Sequence, residues 1–75
     1  MSDKDIKYKI GMSIRKCRLD KKISQEELAG LTGLHRTYIS EVELGKRNVS
    51  LVNIEKISAA LDIKLSSLFI LVEME

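Results

Sequence analysis

In the stretch GLHRTYISEVELGKRN, residues 33–48, long polar side chains gather where a short helix would begin and where it would end. His35, Arg36 and Thr37 stand at the front, Ser40 and Glu41 one turn on, and Lys46, Arg47 and Asn48 follow Gly45. Arg36 is the most informative of them. Its planar guanidinium presents two parallel donors, the complement of guanine O6 and N7, which the point charge of a lysine does not match. Thr37 offers a hydroxyl for a base or phosphate oxygen and a methyl for thymine. Ser40 reaches the next base edge, and Glu41 either accepts from cytosine N4 or only discourages wrong sequences. Arg36, Thr37, Ser40 and Glu41 are therefore the expected base readers. Tyr38, Lys46, Arg47 and Asn48 suit phosphate oxygens, as does Gln25 at the positive N-terminus of another helix. His35 and Arg15 are further phosphate candidates, each weighed against a plain exposed role.

The same residues serve catalysis poorly. His35 is the only histidine and has no second metal ligand at a suitable spacing. Glu26 and Glu27 belong to a solvated face and a helix cap, not to an acid–base pair. With no nucleophile–base pair and no phosphate loop, the sequence predicts no enzyme, no metal and no cofactor. Cys17 is the only cysteine. No internal disulfide follows, a reducing compartment is expected, and the thiol reads as a small core residue. The longest apolar run, Leu68 to Val72, is far short of the roughly 20 residues that cross a bilayer. MSDKDIKYK at the N-terminus lacks an apolar signal core. A cytoplasmic protein with no membrane partner is the expectation.

Side chains that read bases must be held on a rigid backbone, and the sequence supplies helices for this. Proline is absent. A first helix is predicted from about Lys4 to Lys21, with Ile6, Ile10, Ile14 and Cys17 on one face. Ser24 and Glu27 form a capping box that starts a second helix, which ends near the turn-former Gly33. After a corner at Leu34, a third helix runs from about Arg36 to Leu44, with Ile39 and Val42 inward. Ser50 caps a fourth, striped by Leu51, Ile54, Ile57 and Leu61. The last spans about 65–72. Residues 25–44, with small Ala29 where two helices cross and Gly33 at the bend, read as a helix-turn-helix.

At 75 residues the chain is expected to be one all-α domain, 1–75, of five short helices. Its charge is uneven. The first 50 residues carry 11 Lys and Arg against 7 Asp and Glu, and the last 25 carry 2 against 4, so the basic part coincides with the motif. In the last helix, Leu65, Leu68, Phe69 and Val72 sit in a segment that is apolar on nearly every side. One face is expected to pack inside and another to meet a second copy, giving a homodimer.

SQEELAGLTGLHRTYISEVELGKRN, followed by SLVNIEKISAALDIKLSSLF, resembles the lambda-repressor/Cro type of helix-turn-helix, also called XRE-type, over roughly residues 10–69. Through its Arg-Thr-Tyr-Ile-Ser run it is most similar to the small controller proteins of restriction-modification systems. The resemblance implies a compact five-helix lambda-repressor-like DNA-binding domain. It also implies a sequence-specific regulator of transcription, repressor or activator, bound as a homodimer to two-fold-related half-sites of double-stranded DNA. Gln25 matches the family's phosphate-binding glutamine, Arg36 and Thr37 fall where bases are read, and Arg18 and Glu43 match a buried ion pair. No segment is left over for a small-molecule effector. The sequence departs from the family's pattern at Lys22 (usually glycine), His35 (usually an N-cap Ser, Thr or Asp), Leu44 (usually polar), Val49 (commonly proline) and Lys64 (usually Ser or Pro). The alternative reading is an antitoxin-like or other protein-interaction module with secondary DNA binding, using Leu44 and the apolar tail.

Overall fold

Local capping chemistry decides where most of the helices start. In the computed structural model, which describes residues 5–75, α1 spans Ile6–Asp20, α2 Gln25–Thr32, α3 Arg36–Glu43, α4 Leu51–Ala60 and α5 Leu65–Met74. Lys4, the expected start of the first helix, lies outside the described residues. Asp5 caps α1 by accepting from the Tyr8 amide. Ser24 and Glu27 form both bonds of the capping box on α2, at 3.0 and 2.8 Å. Ser50 accepts from the Asn53 amide at the start of α4. His35 and Lys64 precede α3 and α5 without a side-chain cap bond.

One corner is built three times. After α1 the Lys22 amide donates to the Leu19 carbonyl and the Ile23 amide to Arg18. After α3 Gly45 donates to Val42 and Lys46 to Glu41, and after α4 Asp62 donates to Ala59 and Ile63 to Ser58. This is the Schellman pattern, which closes orphan carbonyls at a helix end and places one residue in the left-handed region. Those residues are Lys22 (φ 62°), Gly45 (φ 77°) and Asp62 (φ 57°). Ile23 and Ile63, the residues after the first and third, pack against the core.

The core is aliphatic: Ile10, Ile14, Leu28, Ala29, Ile39, Val42, Ile54, Ile57, Leu61, Leu68 and Val72 are buried. α1 packs on α3 and α5, and α2 on α3 and α4. Two expected stripe residues do not join it. Ile6 and Leu51 are 62% and 72% exposed, each being the first residue of its helix, where the end projects past its neighbours. Leu68 and Val72 correct a different expectation. Expected to meet a second copy, they are 0% and 2% exposed within one copy and lie in its own core.

One close helix crossing was not expected from the sequence. Gly11 of α1 lies against the end of α3, and a Cβ there would come 2.2 Å from the Val42 carbonyl oxygen and 3.0 Å from that of Glu43. Backbone meets backbone at this point. Ala29, the small residue expected at a crossing, is buried at 8% exposure.

Candidate nucleic-acid interface

The short turn between α2 and α3 is fixed by its own polar atoms. Gly33 ends α2 in the left-handed region, its amide donating to the Ala29 carbonyl. The Thr32 hydroxyl donates to the carbonyls of Leu28 and Ala29 and accepts from the Leu34 amide at 3.2 Å. These bonds set the angle at which α3 leaves α2, and Ile39 and Val42 then fasten α3 to the core at about 1% exposure each.

A second clamp holds the other end of α3. Arg18 Nε donates to Glu43 Oε2 at 2.7 Å and Arg18 Nη2 to Oε1 at 3.1 Å, a two-pronged pair whose side chains are 9% and 2% exposed. Arg18 Nη1 donates to the Ile23 carbonyl at 2.8 Å, and Gln25 Nε2 donates to Glu43 Oε1 at 2.9 Å. A buried pair gains its value from geometry and completed hydrogen bonding more than from net stability. Here it joins α1, the first corner, α2 and α3. Gln25 therefore turns its side-chain amide inward. A phosphate would meet its backbone N–H at the start of α2 and the amide hydrogen not aimed at Glu43.

With both ends fixed, the front of α3 stands free. His35, Arg36 and Thr37 are exposed, and Ser40 and Glu41 are half-buried one turn on. An α-helix with its side chains is about 10–12 Å across and the major groove about 12 Å wide, so α3 can enter it. Arg36 and Ser40 are then displaced by about 6 Å along the helix, enough for separate base pairs.

The α3–α4 loop brings together residues that the sequence assigned to different tasks. Lys46, Arg47 and Asn48 are exposed, as expected of phosphate contacts. Arg47, however, folds back: its Nε donates to Glu41 Oε1 at 2.8 Å, and its guanidinium carbon lies 5.0 Å from the centroid of the Tyr38 ring. The Tyr38 hydroxyl accepts from Asn53 Nδ2 of α4 at 3.0 Å. Arg15 is exposed on α1, one turn before Arg18. Cys17 is half-buried against the core, and burial, then the nearby Asp20 carboxylate, pushes its thiol above the ordinary value of 9.0. It is held in the unreactive protonated form.

Gly11, Thr32 and Asn53 are contributors to this site that the sequence reading missed. A glycine on the inward side of a long helix was the available signal for the first. For Asn53 nothing local pointed to Tyr38, fifteen residues away.

Comparison with known proteins agrees with this geometry. Residues 14–68 match the Helix-turn-helix family. The control protein C.MunI of Mycoplasma sp is 54% identical over 72 residues, which cover 95% of this chain and 97% of that one. The crystal structure of the restriction-modification controller protein C.AhdI from Aeromonas hydrophila superposes with a TM-score of 0.82 at 52% identity, covering 84% of this chain and 91% of that one. The tetramer of the controller protein C.Esp1396I, solved in complex with its natural 35 base-pair operator, gives a TM-score of 0.87 at 32% identity over 99% of this chain and 95% of that one. With five helices in the expected order and these likenesses over most of its length, the chain belongs to the XRE-type helix-turn-helix family, among the restriction-modification controller proteins.

Proposed function

We propose that the protein is a sequence-specific, double-stranded-DNA-binding transcriptional regulator, a restriction-modification controller protein that works as a homodimer on a two-fold-related operator. The observation that carries this is the mounting of α3: both ends are clamped by buried contacts, and Arg36 and Thr37 are left exposed at its front. Arg36, Thr37 and Ser40 read base edges. Lys46, Asn48, His35, Arg15 and the amides at Gln25 meet phosphates and set the register. A related controller crystallised on its operator supports this arrangement.

The homodimer is read from apolar surface that one copy leaves uncovered. Leu51 and Val52 are 72% and 62% exposed and line a shallow cleft with Glu55 and Leu65, while Phe69 is half-buried on α5. Of the residues expected there, Leu65 and Phe69 keep that role, and Leu51 and Val52 are added. Two copies joined this way place their α3 helices in major grooves about 34 Å apart, one turn of DNA. Regulation, not catalysis, is the task, and no small-molecule effector is needed: occupancy follows protein concentration through dimerisation. No described helix is long and apolar enough to cross a membrane. We place the protein with its DNA in the cytoplasm.

Selection from a random DNA pool at about 0.15 M salt, where exposed charges are screened beyond about 8 Å, tests the reading. A two-fold-symmetric site is the expected product. Recovery of no motif would refute base reading and turn attention to a protein partner, with Leu44, 61% exposed, on its surface. Arg36→Ala should cost about 1–3 kcal/mol at the selected site and relax preference at one base pair. An unchanged motif would remove Arg36 from the readers.

A further inference from the structure

Glu41 and Arg47 spend on each other the groups that DNA would use. Arg47 Nε donates to Glu41 Oε1 at 2.8 Å, the guanidinium is seated on Tyr38, and Tyr38 is itself tied to α4 through Asn53. The geometry points to Glu41 as a positioning residue for DNA binding: a counter-ion latch that holds Arg47 folded on Tyr38 in the free protein and yields it to a phosphate on the duplex. This rests on the reading of α3 as the helix that enters the groove. The two side chains are 50% and 37% exposed, so a phosphate can reach the pair and compete for the guanidinium.

The exchange is not neutral between sequences. When Arg47 moves to phosphate, the Glu41 carboxylate is left beside a polyanion without its partner. A base pair that presents an amine donor, cytosine N4, gives the carboxylate a new bond, whereas one that presents only acceptors repels it. The latch therefore weakens binding to arbitrary DNA more than binding to a site with that amine. Discrimination arises by penalising wrong partners.

The test measures Kd by fluorescence anisotropy on a short duplex of scrambled sequence, across a salt series, for the wild type, Glu41→Gln, Arg47→Ala and the double variant. Glu41→Gln should tighten this binding about two- to fivefold, the range an exposed ion pair supplies. Its salt dependence should keep the wild-type slope, because Arg47 meets a phosphate in both complexes. In the Arg47→Ala background the same substitution should tighten binding clearly less, relieving only the repulsion between carboxylate and duplex. Tightening that is equally large without Arg47 would show a plain loss of negative charge and overturn the latch. So would weaker or unchanged binding by Glu41→Gln. Without DNA, the Arg47 Nε–H resonance should exchange slowly with solvent in the wild type and quickly in Glu41→Gln; equal rates would also overturn it. A wild type that binds no duplex would refute the DNA-reading proposal separately, because the resonance reports the Glu41–Arg47 bond by itself.

Discussion

Replacing Gly11 with alanine adds one methyl group, and the structure says what it meets. The new Cβ would lie 2.2 Å from the Val42 carbonyl oxygen and 3.0 Å from that of Glu43, against an ordinary contact of at least 3.4 Å. Both obstacles are backbone atoms of α3, so no side chain can swing aside. Relief requires α1 and α3 to part by about 1 Å. Overpacking of this kind costs typically about 1–3 kcal/mol, and separating two backbones belongs at the upper end or beyond. Alanine's better helix propensity returns roughly 1 kcal/mol of that. A net loss of about 2 kcal/mol is expected, which lowers the melting temperature of a domain this size by roughly 8–16 °C. Urea unfolding followed by circular dichroism gives the stability, and titration of the selected duplex gives the affinity. Because α3 is displaced, affinity should fall even at temperatures where the variant is folded. A midpoint equal to or above the wild type's would refute the claim that α3 is seated by direct backbone contact.

Three further substitutions probe the rest of the arrangement. Arg18→Ala leaves the Glu43 carboxylate buried with Gln25 as its remaining side-chain donor, and should cost about 3–5 kcal/mol in urea unfolding; a loss below about 1 kcal/mol would show that water takes over the arginine's place. Lys46→Ala should weaken binding to all duplexes alike and flatten the salt dependence by about one unit of slope, whereas a loss confined to one sequence would make it a base reader. Val52→Asp puts a charge on a side chain that is 62% exposed in a single copy. Sedimentation should then report a folded monomer, and a persisting dimer would place the interface elsewhere.

What could be read from the sequence was chiefly local. The Ser24–Glu27 box, the Ser50 cap and the Gly33 bend depend on bonds spanning three or four residues, and each is where the sequence placed it. Periodicity located the inward faces of α1 and α4, but a helical period does not say where an end projects into solvent. Ile6 and Leu51 fail for that reason. In α5, apolar residues occur all round the helix, so only tertiary packing could separate buried Leu68 and Val72 from Leu65 and Phe69. Gly11 shows a different gap: spacing gives the face a residue occupies, not how closely the neighbouring helix approaches. Glu41 and Arg47 are six residues apart, beyond the spacing at which helical side chains meet. Their bond depends on the corner at Gly45 turning the loop back over α3.

The three matching corners bear on how far this chain is from the most stable version of itself. An L-residue in the left-handed region carries roughly 1–2 kcal/mol of steric conflict between Cβ and carbonyl, which glycine lacks. The corner beside the DNA-reading helix has Gly45, while those after α1 and α4 have Lys22 and Asp62. Aspartate at such a site recovers part of the conflict through local hydrogen bonding; lysine has no such means. Two of the three corners thus retain some strain in a domain whose whole stability is on the order of 4–11 kcal/mol. Headroom exists at positions that touch neither the groove-facing helix nor the apolar cleft. A regulator whose occupancy follows its own concentration can do without it, since readiness to unfold and be degraded also sets how quickly that concentration changes.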